Sequence, residues 1–128
     1  MSLPNPLSLS KDSATDVDTN LSVFDLRAAD LNKSEYSVAG LTAPSEKLLS
    51  VSHETGKGGE ARHLVRIDET VVDTLLVPAT ISVYIVIVRP PNTAVTNALI
   101  LENVNKLVDF LVEGGANANV TKILNNEV

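Results

Sequence analysis

Residues 47–53 alternate, with Leu49, Val51 and His53 on one side, the two-residue period of a half-buried strand. Gly56-Lys57-Gly58-Gly59 then gives a turn signal. Residues 62–68 alternate again, with His63, Val65 and Ile67 together, and residues 71–78 form a mostly apolar connection. Residues 80–88, TISVYIVIV, are strongly β-branched and read as a strand. Arg89-Pro90-Pro91 ends it, because proline cannot donate to a ladder. After that the period changes. Ile100, Val104, Leu107, Val108 and Leu111 form one stripe at helical spacing, with Glu102 and Lys106 as an i,i+4 pair on the other side. Asn92 or Thr93 is the expected N-cap, and Gly114-Gly115 the expected stop. Asn119 is expected to cap a short last helix carrying Val120, Ile123 and Leu124. The first 45 residues are less regular. Residues 7–10 and 21–26 read as short strands on either side of the polar segment 11–20, and residues 36–41 as a third strand closed by Gly40 and Pro44. Strands followed by two helices predict an α+β fold: an antiparallel sheet of about five strands with helices on one face.

The alternation also fixes a register. If Leu49 and Val51 share a face with Val65 and Ile67, the cross-strand pairs are Leu49–Ile67 and Val51–Val65, and His53 falls opposite His63. Ile81, Val83, Ile85 and Ile87 join this aliphatic face. The other face then carries Ser50, Ser52 and Glu54, then Arg62, Leu64, Arg66 and Asp68, then Thr80, Ser82 and Tyr84. Arginines and hydroxyls can bond phosphates and base edges, and a lone tyrosine can stack one base. The plainer account is the solvated outer face of an ordinary antiparallel sheet.

Composition narrows the choice. A chain of 128 residues is one domain, 1–128, with residues 1–44 as N-terminal hairpin and first strands, 45–90 as central sheet and 92–128 as helices. Aromatics are only 3% of the chain, so the expected core is Val, Leu, Ile and Ala, and a multi-ring stacking platform is excluded. The absence of cysteine excludes disulfides, thiolate zinc sites and a cysteine nucleophile. A net charge of −6 argues against a polybasic nucleic-acid binder. The polar start shows no targeting segment, and the apolar run 81–88 is too short for a membrane helix, so a soluble cytoplasmic protein is expected.

Catalytic and metal motifs are weak. His53 and His63 make a cross-strand pair that lacks a third ligand on its face, so a structural or surface role is expected and no metal. The glycine turn with Lys57 lacks the phosphate-loop pattern. Asp12, Asp16 and Asp18 lack the glycine and closing glutamate of a calcium loop. No hydrolase or metalloprotease motif is present, and no enzyme, cofactor or small-molecule substrate is expected. One short and one longer helix leave part of the aliphatic face bare. That points to a partner subunit, most simply a two-fold dimer whose helices cross each other's sheets.

The hairpin EKLLSVSHETGKGGEARHLVRIDET, the strand ATISVYIVIV and the tail GGANANVTKILNNEV resemble the coat proteins of single-stranded RNA bacteriophages, the levivirus family. The resemblance covers the chain from Ser45 onward and the first third in outline. It implies an N-terminal hairpin, an antiparallel sheet and two C-terminal helices reaching over the partner's sheet. It further implies an obligate homodimer, assembly into an icosahedral shell, usually T=3, and an inner sheet face that contacts single-stranded genomic RNA and can repress translation through an RNA hairpin. Carried onto this sequence, the RNA-facing positions are Ser50, Ser52, Arg62, Leu64, Arg66, Ser82 and Tyr84: the arginines for phosphate, the serines for hydrogen bonds, Tyr84 for stacking. The inter-dimer loop is Val72, Asp73, Thr74, Leu75, Leu76, Val77 and Pro78, and the dimer helix carries Ile100, Val104, Leu107, Val108 and Leu111. Leu64 is apolar where RNA is expected, and Glu54 and Asp68 add negative charge, which weighs against selective recognition. The expected product is therefore a capsid subunit in a virion, assembled in a bacterial cytoplasm. The alternative is a small dimeric α+β scaffold or binding module without nucleic acid.

Overall fold

The computed structural model describes residues 3–10, 21–38, 40–41, 45–113 and 117–127. The chain divides into two compact units, Met1–Pro90 and Pro91–Val128. The first is one sheet of six antiparallel strands in chain order: β1 (Leu7–Ser10), β2 (Leu21–Ala29), β3 (Lys33–Val38), β4 (Lys47–Thr55), β5 (Ala61–Val72) and β6 (Pro78–Arg89). The fold class is thus the expected α+β, with six strands rather than about five.

The inferred register holds: Leu49 pairs Ile67, Val51 pairs Val65 and His53 pairs His63. Between β4 and β5 the chain turns through residues 56–60. There the Gly59 N–H bonds Gly56 O at 3.0 Å and Gly59 sits at φ 79°, a conformation glycine adopts without a Cβ penalty. The third strand departs from expectation. It spans Lys33–Val38 rather than 36–41, because Gly40 at φ 82° takes the chain out of the extended region, and the alternation Lys33, Glu35, Ser37 against Ser34, Tyr36, Val38 begins earlier. Pro44, the segment 11–20 with Asp12, Asp16 and Asp18, and Gly114-Gly115 lie outside the described residues. β5 and β6 also run further than the patterning suggested, pairing Val71 with Ala79 and Val72 with Pro78, which leaves residues 73–77 as the connection. Pro78 opens a strand, a position that needs no ladder donor.

The expected all-aliphatic core is corrected. The buried cluster is Phe24, Tyr36 and Leu49, with Leu7, Leu9 and Val38 packed against it. Two of the four aromatics therefore anchor the β2–β3–β4 region, where large rings fill the most volume per ordered side chain. The Val/Ile-rich β5–β6 region stays exposed, with Val65 at 41%, Val83 at 65% and Ile81 at 56%.

The second unit holds α1 (Asn97–Val112) and α2 (Ala118–Leu124), which contact each other. The N-cap is Thr96, not Asn92 or Thr93: its hydroxyl accepts the Leu99 N–H at 3.3 Å. Asn92 instead closes its own turn one step earlier, accepting the Ala94 N–H at 2.9 Å. Ile100, Val104, Val108 and Leu111 are half-buried and Leu107 is exposed. Lys106 reaches Glu102 at 2.7 Å, as the spacing predicts. Asn119 does not cap α2. Asn117, at φ 55°, takes that place, and the Asn119 amide donates to Phe110 O at 2.7 Å, tying α2 to α1. Among the described residues no helix is long and apolar enough to cross a membrane.

Candidate nucleic-acid interface

Three neighbouring strands set the site. Because side chains alternate across a strand, the ladder Ser50–Arg66–Tyr84 places those three residues in one row on one face. The rows beside it are Ser52–Leu64–Val86 and Leu48–Asp68–Ser82, and Glu54–Arg62–Val88 lies further toward the turn. The seven residues assigned from the sequence therefore share a face. Leu48, Val86 and Val88 share it too, so it is less polar than its serines suggest.

The side chains form a connected network. Arg66 donates from Nε to Asp68 Oδ1 at 2.8 Å and from Nη2 to Ser82 Oγ at 3.1 Å. Ser82 in turn donates to Asp68 Oδ1 at 2.5 Å. The Ser82 hydroxyl bond, joined by the Arg66 guanidinium, holds the Asp68 carboxyl below the ordinary aspartate value of 3.8, against partial burial that pushes it up. Arg62 is similarly engaged: Nε and Nη2 both reach Glu60 Oε1, at 3.1 and 2.7 Å. Both arginines thus carry a carboxylate partner. Tyr84 is 61% exposed, its ring open to a stacking partner. The Thr70 and Thr80 hydroxyls bond at 2.9 Å further along the same strands.

An open concavity of about 450 Å³ lies on this face, lined by Ser50, Ser52, Leu64, Arg66 and Asp68 together with Lys33 and Glu35 of β3. Lys33 and Glu35 were not foreseen. Starting the strand at residue 36 hid them, although the alternation of residues 33–38 was there to read. Lys33 bonds Glu35 and holds that carboxyl below its ordinary 4.5. Of the expected seven, Ser50, Ser52, Leu64 and Arg66 line the concavity, while Ser82 joins through Arg66 and Asp68. Arg62 and Tyr84 lie on the same face outside that lining.

On the opposite face His53 and His63 meet with Nδ1···Nδ1 at 2.8 Å, rings edge to face at 5.0 Å between centroids. Among the described residues no group of three or more His, Cys, Asp or Glu is placed to hold a metal. The β5–β6 connection is closed by Asp73, whose Oδ1 accepts the Leu75 and Val77 N–H groups at 2.8 and 2.9 Å. Leu75 and Leu76 are each 81% exposed.

No family model matches the sequence, and no curated protein matches it. Solved structures do. The coat protein of bacteriophage EMS014 superposes with a TM-score of 0.76 at 16% identity, over 98% of each chain. The chain has the fold of the RNA bacteriophage coat proteins. The GA bacteriophage protein capsid matches with a TM-score of 0.59 at 10% identity, over 94% of this chain and 95% of that one. An unassembled virus coat protein dimer, described as a bacteriophage RNA-binding dimer, matches at 0.58 and 11%, over 97% and 95%. The match extends over the described strands of the first third, β1 to β3, where the sequence pattern was weakest.

Proposed function

We propose that this chain is the structural coat subunit of a single-stranded RNA bacteriophage. Two copies join into a homodimer, dimers close into an icosahedral shell of T=3 or related geometry, and the polar sheet face contacts the packaged genomic RNA. The subunit is a virion component and not an enzyme. The observation that carries the reading is the aliphatic face of β5 and β6, exposed on a sheet whose last strand, among the described residues, lies at the edge beside β5. A twelve-residue edge strand without an interior proline is a template for pairing with another copy, and an exposed apolar face beside it calls for cover. That the matching folds are described as coat proteins, a capsid and an RNA-binding dimer supports the same reading. In this arrangement residues 72–78, with Leu75 and Leu76 turned outward, serve as the contact between dimers, and the α1 stripe serves as the helix face shared across the dimer. The single domain 1–128 is then completed by its partner.

RNA contact is the finer part of the proposal. Arg66 and Arg62 face the RNA already paired with carboxylates, so binding rests on displacement of those pairs and on the hydroxyls and Tyr84. This favours weakly selective binding over strong repression at one hairpin. The same pairing, with a net charge of −6, favours the second reading, a dimeric scaffold without nucleic acid.

Size-exclusion chromatography and electron microscopy of recombinant protein separate the two. Megadalton particles with nuclease-protected RNA are expected. A dimer of about 27 kDa that never assembles, whatever the salt, would overturn the coat reading. Replacing Arg62 and Arg66 together by Ala should lower packaged RNA. It should also flatten the logarithmic salt dependence of binding, by a slope of about 0.7 for each single-strand phosphate that an arginine had neutralised. Unchanged RNA content would show that these arginines do not touch it.

A further inference from the structure

The His53–His63 pair belongs to neither the polar face nor the β5–β6 loop. The residues are directly opposed across β4 and β5, two positions before the turn closes. Their Nδ1 atoms stand 2.8 Å apart, and an open concavity lined by Asn32, His53, Glu54, Thr55, Ala61 and His63 lies beside them. Two neutral imidazoles at this distance share one proton: one Nδ1–H donates and the other Nδ1 accepts. The arrangement is also a preset chelate. Bonds of about 2.0–2.1 Å to one ion separate adjacent ligands by about 2.9 Å in square or octahedral geometry, and by about 3.3 Å in a tetrahedron. The observed spacing matches the first case. Imidazole nitrogen suits copper and nickel, and copper binds tightest in the divalent series.

We propose that His53 and His63 form a bidentate site for a divalent transition cation of the copper and nickel type. Water completes its coordination from the open side, and the ion clips the β4–β5 hairpin near its turn. The ring that donated through Nδ1 carries its proton on Nε2 instead, and both Nδ1 lone pairs turn to the ion. The strands fix the two ligands before the ion arrives, so the second bond forms intramolecularly and strengthens binding by on the order of a hundredfold over one imidazole. Among the described residues no third His, Cys, Asp or Glu joins the pair, which keeps the site open and exchangeable. The pair sits at the turn end of the face that also carries Val65 and Val83, so it is open to an ion on the unassembled chain.

The test titrates the full-length chain with Cu²⁺ alone, and separately with Ni²⁺ alone, in a buffer that does not coordinate metal. One ion per chain is expected, with electron-spin resonance of the copper form showing two nitrogen ligands and slower amide exchange in residues 53–63. His53→Ala and His63→Ala should each weaken binding by about a hundredfold, and each should lose the two-nitrogen signature. Thermal unfolding without metal checks that both variants are folded. A parent that takes up no ion, a copper spectrum without two nitrogens, or single variants that bind as tightly as the parent would each overturn the proposal.

Discussion

Asp68 receives a hydroxyl and a guanidinium at the same time, and this gives its charge two measurable consequences. Its pKa in the folded chain lies below the ordinary 3.8. The sign follows: the network stabilises the folded state above the unfolded value, and the contribution is lost as pH falls through the folded value. Asp68→Asn should therefore cost about 1 kcal/mol at neutral pH, allowing for solvent screening, and the gap to the parent should close below about pH 4. Melting temperatures from pH 6 to 3 measure this. A gap that stays constant would assign the effect to shape, not charge. The same change releases Arg66 and removes a carboxylate from the face. If this face contacts RNA in a particle, as proposed, the RNA retained should then rise, whereas Arg66→Ala should lower it. Two neighbouring substitutions with opposite effects on RNA would be hard to explain by altered folding alone.

Among the elements, the β5–β6 connection is where local chemistry meets the proposed contact between dimers. Asp73 accepts two backbone N–H groups, and Leu76 sits at φ 62°, a conformation that costs a side-chain-bearing residue about 1 kcal/mol. Asp73→Ala should lower the free energy of unfolding in urea by about 1 kcal/mol. Leu76→Gly should stay within about 0.5 kcal/mol of the parent, since relief at positive φ offsets glycine's chain entropy. If residues 72–78 mediate contacts between dimers, Leu76→Gly still reduces particle yield, because an exposed apolar side chain is gone. Urea titration and particle yield, measured on the same variant, thus separate stability from assembly. This loop also marks the limit of sequence reading. Residues 71–78 read as a connection because Asp73 and Pro78 punctuate a mostly apolar run, so nothing signalled that Val71 and Val72 still pair with Ala79 and Pro78. The register of β4 and β5 was legible, because strict alternation leaves one solution that gathers the aliphatic residues. The cap at Thr96 was missed because Asn92 is an equally good capping type, and only its use in its own turn decides between them. For the site, the face could be read from alternation, but the carboxylate partners of both arginines could not, since Glu60–Arg62 and Arg66–Asp68 depend on rotamers.

At the scale of the whole molecule, the question is what covers the aliphatic face. Val83 pairs with Ile67 at the centre of the β5–β6 ladder and is 65% exposed in the single chain. A substitution there costs an isolated chain little, about 1 kcal/mol or less, from strand preference and partial burial. In a dimer that buries this face, a carboxylate at position 83 loses its water without gaining a partner, at a cost of several kcal/mol. Every 1.4 kcal/mol is about tenfold in association, so Val83→Asp should shift the protein from particles toward monomer while its circular dichroism and urea midpoint change little. Val83→Lys should act the same way, even though the chain is acidic and a lysine would favour association if long-range charge were the controlling force, because desolvation penalises either sign. Sedimentation velocity at several concentrations reads both variants. Particles from both would exclude this face as the subunit contact and leave the β6 edge alone to explain self-association. Loss with Asp but not Lys would point to charge, not burial. Loss with both, on a chain that remains folded, requires that a second copy complete the hydrophobic core that one chain leaves open.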